Sequence, residues 1–225
     1  MSQLELAVLF VALALVLLTG RRALPPLLIR IRPGMLRCWF LPADQEAKVL
    51  GDSPALVETL DRLKRLHYFL LGVKVEKLPW WGPKFREVAL AARDHTAFAS
   101  IVLQPFGAPA SVYLYTPLRG GGMVFTRDYA GGAQVEDEWL SVRNVPTEDL
   151  ERLAGAHHDR VEDMRRRGRE LEVRATQAGR QQATLSFYAS RYYRKTSTPF
   201  LLPPLLSFCA SIGLLLWAVF TPFVD

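Results

Sequence analysis

Three short stretches carry residue types that could do chemistry. Gly120-Gly121-Gly122 has the small, flexible composition of a loop that cradles phosphate. Such a loop needs a strand before it, a helix after it and usually a Lys-Ser/Thr pair, whereas Met-Val-Phe-Thr comes next here and reads as a strand. A hairpin turn is therefore expected. His157-His158-Asp159-Arg160-Val161-Glu162 sets His158 and Glu162 one helical turn apart, within reach of one metal ion. A stable site wants three or four ligands, and His67 and His95 stand in no matching motif. The expectation is His157 in the core, with His158, Asp159 and Glu162 on a solvated face. Trp80-Trp81-Gly82-Pro83-Lys84 has two readings, an exposed membrane-surface or partner contact and an aromatic lid on the core. No metal, cofactor or catalytic set is assigned.

The elements that must position these residues lie between two apolar runs. From Ser197 to Val224 no residue is charged, and Phe200–Phe220 is long enough to cross a bilayer, which takes about 20 apolar residues. A second run, Leu6 to Gly20, lies at the other end. Glu5 precedes it and Leu-Thr-Gly-Arg-Arg ends it, which fits a retained anchor better than a cleaved signal peptide. Pro25 and Pro26 are expected to break that helix.

The net charge of +6 is smaller than the ten basic residues flanking the two runs. Arg21, Arg22, Arg30, Arg32 and Arg37 come after the first, and Arg174, Arg180, Arg191, Arg194 and Lys195 precede the second, with no acid among either set. That excess fits an anionic membrane surface, and the basic stretches contain no nucleic-acid motif. Basic flanks stay cytoplasmic, so both tails are expected outside and residues 21–198 in the cytoplasm, with the spans in the inner (plasma) membrane. Cys209 falls in a span and Cys38 stands alone, so no disulfide framework is expected.

Within the aqueous part, Ser53 and Pro54 open a helix whose apolar stripe is Leu56, Leu60, Leu63, His67 and Leu70, ending at Gly72. Strands are expected at 73–78, 86–92, 97–103, 110–116, 122–127 and 139–142. Val112 and Leu114 alternate with Tyr113 and Tyr115, as on a sheet with two different faces. Pro105–Pro109 and Leu118–Gly122 read as turns and 129–138 as a loop. Connections this short predict an antiparallel meander. A second helix from Thr147 carries the stripe Leu150, Leu153, Ala154, His157, Val161 and Met164. Residues 169–198, with Phe187, Tyr188, Tyr192 and Tyr193 among the cations, read as a helical stalk. The arginine-rich, apolar stretch around Leu27–Phe40 is either an interfacial segment or an edge strand.

A leading helix ending Leu-Gly-Val, the meander, and Pro-Thr-Glu-Asp-Leu-Glu-Arg-Leu-Ala-Gly-Ala-His resemble a class of uncharacterised bacterial membrane-anchored proteins over residues 53–168. That resemblance implies no reaction, ligand or cofactor.

The expected architecture is thus α+β, an antiparallel β-meander with flanking helices between two transmembrane helices. Its parts are a first span (1–22), an interfacial segment (23–52), the α+β domain (53–168), the stalk (169–198) and a second span (199–225). The expected function is a membrane-anchored interaction domain acting as adaptor, scaffold or accessory subunit. The alternative is a membrane-tethered enzyme for a lipid or small anionic substrate, using His157 or Arg127 in a polar pocket. Contacts with anionic headgroups or a partner fall to Arg21, Arg22, Arg30, Arg32, Trp80, Trp81, Arg191, Arg194 and Lys195. Small residues four apart, Ser207/Ser211 and Cys209/Gly213, permit close helix approach, either to the first span or to another protein.

Overall fold

The computed structural model describes residues 3–51, 53–104, 109–131 and 134–220. Residues 105–108 of the turn expected at 105–109, Gly132 and the last five residues lie outside them. The chain is α+β: one open, mostly antiparallel sheet of eight strands, helices on both faces, and two long apolar helices at the ends.

The first helix, α1 (Gln3–Ile31), runs on through Pro25 and Pro26, so the expected break does not occur. The two prolines forfeit bonds to the carbonyls of Arg21 and Arg22, both exposed, where solvent can satisfy what the helix does not. A 3-10 turn (Pro33–Met35) then leads to β1 (Arg37–Phe40), which pairs antiparallel with β2 (Tyr68–Lys77) and is an edge strand. Of the stretch Leu27–Phe40 only Arg37–Phe40 is an edge strand, while residues 27–31 continue α1. The short helix α2 (Ala43–Gly51) comes next, with Asp44 and Glu46 in its first turn and Val49 buried.

Helix α3 (Pro54–Arg65) buries Leu56, Leu60 and Leu63, each worth roughly 1.5–3 kcal/mol of apolar transfer. It stops earlier than the stripe predicts. His67 takes a left-handed φ of 64° and turns the chain into β2, so His67 and Leu70 leave the helix.

Strands β2, β3 (Lys84–Ala92), β4 (Phe98–Leu103), β5 (Pro109–Leu118) and β6 (Gly122–Arg127) form the expected meander. Gly120 and Gly121 have φ of 84° and 89°, so the triple-glycine stretch is a hairpin turn between β5 and β6. The meander then breaks. The chain passes outward to β7 (Val135–Glu136) and returns as β8 (Leu140–Asn144), which pairs parallel with β6. The connection of a dozen residues after β6 suffices for this reversal, which a reading based on short loops misses.

The two sheet faces differ as the Val/Tyr alternation predicts. Val112 and Leu114 join Leu56, Leu60, Leu63, Val88, Leu90 and Ile101 in the main apolar core under α3. Helix α4 (Leu150–Arg166) closes that face. Its cap is Asp149, whose carboxylate accepts from the Glu151 N–H, so the helix starts slightly later than Thr147. Thr147 still supports the entry, since its Oγ1 accepts from the Asp149 N–H. The opposite face carries Tyr113, Tyr115, Met123, Phe125 and Leu140, and is covered by α5 (Gln177–Ala189). This helix lies on the sheet with Arg180, Ala183 and Thr184 buried, where a free stalk was expected.

The last helix, α6 (Arg191–Phe220), packs antiparallel on α1. Thr19 and Ser211 meet hydroxyl to hydroxyl at 3.4 Å, and a Cβ on Gly20 would sit 2.9 Å from the Phe208 ring. Ser211 therefore packs on the first apolar helix, while Ser207, Cys209 and Gly213 face outward.

Two glycines test this packing. A Cβ on Gly122 would lie 2.5 Å from the backbone oxygen of Trp139, so Gly122→Ala should cost roughly 1–3 kcal/mol by forcing β6 from β8. Gly155, on α4, has open space around it, and Gly155→Ala should stabilise by roughly 0.5–1 kcal/mol. Thermal unfolding of both variants in detergent micelles checks the pair of signs.

Candidate functional site

Strand register assembles the most concentrated chemistry in the molecule. Lys74 on β2 pairs directly with Glu87 on β3, and Ser100 on β4 with Tyr113 on β5, all on the face that α5 covers. Helical spacing sets Arg180 and Thr184 above them. The Lys74 ammonium is fully buried, donates to Glu76 (2.5 Å) and Thr184 Oγ1 (2.7 Å), and forms an ion pair with Glu87 at 2.7 Å. Arg180 donates to Glu87 (2.9 Å), to the Tyr113 hydroxyl (2.8 Å) and to Thr184 (2.7 Å). Its guanidinium also lies over the Phe98 and Tyr115 rings, 5.5 and 5.3 Å from their centroids. Tyr113 and Ser100 donate to Glu87, and Tyr188 donates to Glu76 at 3.0 Å.

Two cations and two carboxylates thus balance in a nearly closed network. Burial by itself raises the Glu87 carboxyl, but the Lys74 and Arg180 charges and the bonds from Lys74 and Tyr113 outweigh it, so Glu87 is held well below the usual carboxylate range. Burial, and then the Glu87 charge, push Tyr113 well up, which keeps it a neutral donor. The one loose end is Arg180 Nε, buried without a hydrogen-bond partner.

His157 is 2% exposed under α4. Thr116 Oγ1 gives its hydrogen to the Thr96 carbonyl, so it accepts from His157 Nε2 at 2.9 Å. Nδ1 is then the acceptor from Thr126, also at 2.9 Å. Both ring nitrogens are spent, and burial, with the charge of His158 second, lowers the imidazole to about 3. His157 is a neutral core histidine. His158 and Asp159 are exposed, and Glu162 pairs with Arg165. Among the described residues no group of three or more His, Cys, Asp or Glu is arranged to hold a metal ion.

A cavity of about 380 Å³ opens where the terminal helices meet the sheet. Pro26, Met123, Phe125, Val142, Phe187 and Leu201 give it apolar walls, and Arg22, Arg127, Tyr193 and Ser197 supply its polar groups. A smaller cavity of about 230 Å³ abuts it through Met123, Phe125 and Phe187 and reaches Glu87 and Arg180. Arg127 is anchored by Asn144 (3.0 Å) and Tyr129 (2.7 Å).

The contact residues expected from the sequence fall around the same junction. Arg21 and Arg22 are exposed on α1, Arg32 is exposed just beyond it, and Arg30 donates to Thr198 at 2.8 Å. Trp80 and Trp81, 54% and 50% exposed, sit at the tip of the β2–β3 hairpin, which excludes the core-lid reading. Their neighbour Gly82 lies against Pro25, so the tip touches α1 between Arg22 and Arg30. Arg194 is exposed on α6, whereas the side chains of Arg191 and Lys195 lie outside the described residues.

The fold and junction define an α+β protein with two apolar terminal helices. Comparison with known proteins gives no match: no protein-family model, no curated protein and no solved structure.

The buried network and the buried histidine each generate a test. Lys74→Met leaves Glu87 and Glu76 short of a cation and should cost roughly 3–5 kcal/mol, whereas Lys74→Met combined with Glu87→Gln should lose less than the sum of the two single changes. Denaturant unfolding of the full chain in micelles reads both. For His157, the folded value lies below the unfolded one, so its contribution is complete above pH 6.5 and is lost on acidification. The contribution of His157 should fall by roughly 1.4 kcal/mol per pH unit as the pH drops from 6.5 towards about 3, and His157→Gln should flatten that slope.

Proposed function

We propose that this is a two-span membrane protein whose α+β domain works by interaction, as an adaptor, scaffold or accessory subunit of a membrane complex. The observation that carries the reading is the uncovered apolar surface of the terminal helices. Both are long and apolar enough to cross a membrane, and only 17% and 12% of their most apolar windows are buried. Soluble monomers rarely expose contiguous apolar surface on this scale.

The level of the membrane surface is read from the collar around the junction. Trp80 and Trp81 beside Pro25, with Arg21, Arg22, Arg32 and Arg194 nearby, form the aromatic and basic belt expected at headgroup depth. By the rule for basic flanks, residues 21–198 lie on the cytoplasmic side of the inner (plasma) membrane and both termini outside. The bilayer partner is then an anionic leaflet. Cys209 and Gly213, one turn apart and both exposed, leave a small-residue face of α6 open to a protein partner or a second copy.

An interaction role is favoured over catalysis by how the reactive groups are used. Lys74, Glu87, Tyr113 and Arg180 are bonded to one another inside the domain, and His157 is saturated by two threonines.

Topology is tested with introduced cysteines, in a Cys209→Ser background with buried Cys38 retained. In intact cells a membrane-impermeant maleimide should label Asp225→Cys and leave Glu58→Cys unmodified until the cells are permeabilised. Labelling of Glu58→Cys in intact cells would reverse the orientation. A photo-crosslinker at position 213 should then give one discrete adduct; only diffuse lipid adducts would count against an interaction role.

A further inference from the structure

The junction cavity joins features that an ordinary packing defect lacks. Its volume of about 380 Å³ falls in the range of small-molecule sites. It is composite, with walls from α1, β6, β8, α5 and α6, so it exists only because the apolar helix pair is docked on the sheet. Its chemistry is divided. Leu201, Pro26 and Phe125 offer hydrocarbon contact, while Arg22 and Arg127 bring two guanidiniums. Ser197 Oγ is buried there without a hydrogen-bond partner. A buried hydroxyl is normally satisfied, so an unpaired one in a basic cavity marks where a ligand oxygen belongs. No acidic side chain lines the cavity among the described residues.

We propose that this cavity is a binding site for one anionic amphiphile, an acidic headgroup joined to an acyl chain. The headgroup oxygens lie between Arg22 and Arg127 and accept from the Ser197 hydroxyl. The chain runs along Leu201 and Pro26 towards the apolar helices. Guanidinium pairs select planar or tetrahedral oxyanions over zwitterionic headgroups, because a choline or ethanolamine cation would be repelled by the same two charges. The abutting smaller cavity leads on to Arg180, whose unpaired Nε is a second donor for a larger headgroup. This site rests on the membrane-embedded reading, and makes the domain a sensor or carrier of acidic lipid at the surface where it is anchored.

The test uses the full chain, delipidated in dodecyl maltoside and offered phosphatidylglycerol, oleate or phosphatidylcholine, with bound molecules counted by native mass spectrometry. One phosphatidylglycerol or one oleate per chain is expected to survive detergent exchange, with phosphatidylcholine retained at least tenfold less. Retention of phosphatidylglycerol points to the bilayer as the source, and of oleate alone to free acid. Arg22→Gln should weaken retention about tenfold or more, whereas Arg152→Gln, which removes the same charge from an exposed position on α4 outside the cavity lining, should leave it unchanged. Leu201→Trp, which fills the cavity, should abolish it, with the thermal unfolding of each variant establishing that it is folded. Equal losses for Arg152→Gln and Arg22→Gln, equal retention of phosphatidylcholine, or retention by folded Leu201→Trp would overturn the site. The cysteine-labelling pattern is read independently, so loss of lipid retention with that pattern intact rejects the site and not the membrane topology.

Discussion

Burying a lysine, an arginine and a glutamate together is costly unless every charge finds a partner, and the architecture is shaped by how that cost is met. Desolvating each ion costs several kcal/mol, and only mutual contact with good hydrogen bonds offsets it. Lys74 and Glu87 come from adjacent strands, but the pair is incomplete without Arg180 and Thr184 from α5. The sheet face is therefore stable only with α5 in place. Apolar packing through Ala183 and Phe187 adds to this attachment, and the ionic contacts determine its register. One turn of slippage along α5 would strand a buried charge, an error that an all-apolar interface would penalise less.

Holding α5 in place also sets the course of the last helix. Only Ser190 separates α5 from α6, so the orientation of α5 dictates where α6 leaves the domain. The α6 helix then pairs with α1 through Thr19, Gly20, Phe208 and Ser211, and Arg30 ties to Thr198 at the base of the pair. The β2–β3 hairpin tip against Pro25 provides another contact between the sheet and α1. Charge network, helix pair and hairpin tip together form a neck between the sheet and the apolar helices, and the cavity opens among these parts.

The legible part of this fold is what periodicity encodes. Val112 and Leu114 against Tyr113 and Tyr115 mark a two-faced sheet, and Leu150, Leu153, His157, Val161 and Met164 mark the buried stripe of α4. His157 belongs to the core for the reason the sequence offers, its position on that stripe. The network is not legible because its members are scattered from Lys74 to Arg180, and pairing across that distance leaves no local pattern. A faint signal exists: Lys74 and Glu76 alternate with Val73 and Val75 on a strand of the same sheet as Tyr113. Charge on that strand reads naturally as a solvated face. Segment 169–198 misleads for a related reason, since aromatic and basic residues near a span look like an interfacial stalk whether or not a sheet lies beneath. Pro25 and Pro26 mislead because a proline rule assumes that carbonyls left unbonded matter, which they do less beside exposed Arg21 and Arg22.

Most depends on α5 being clamped to the sheet as part of the domain core. Hydrogen–deuterium exchange on the full chain in lipid nanodiscs measures this directly, amide by amide. The backbone N–H groups from Arg180 to Phe187 are predicted to exchange as slowly as those of β2 and β3, opening only with the whole domain. Fast exchange across Arg180–Phe187, with β2 and β3 still protected, would mean a free stalk and would contradict the clamp.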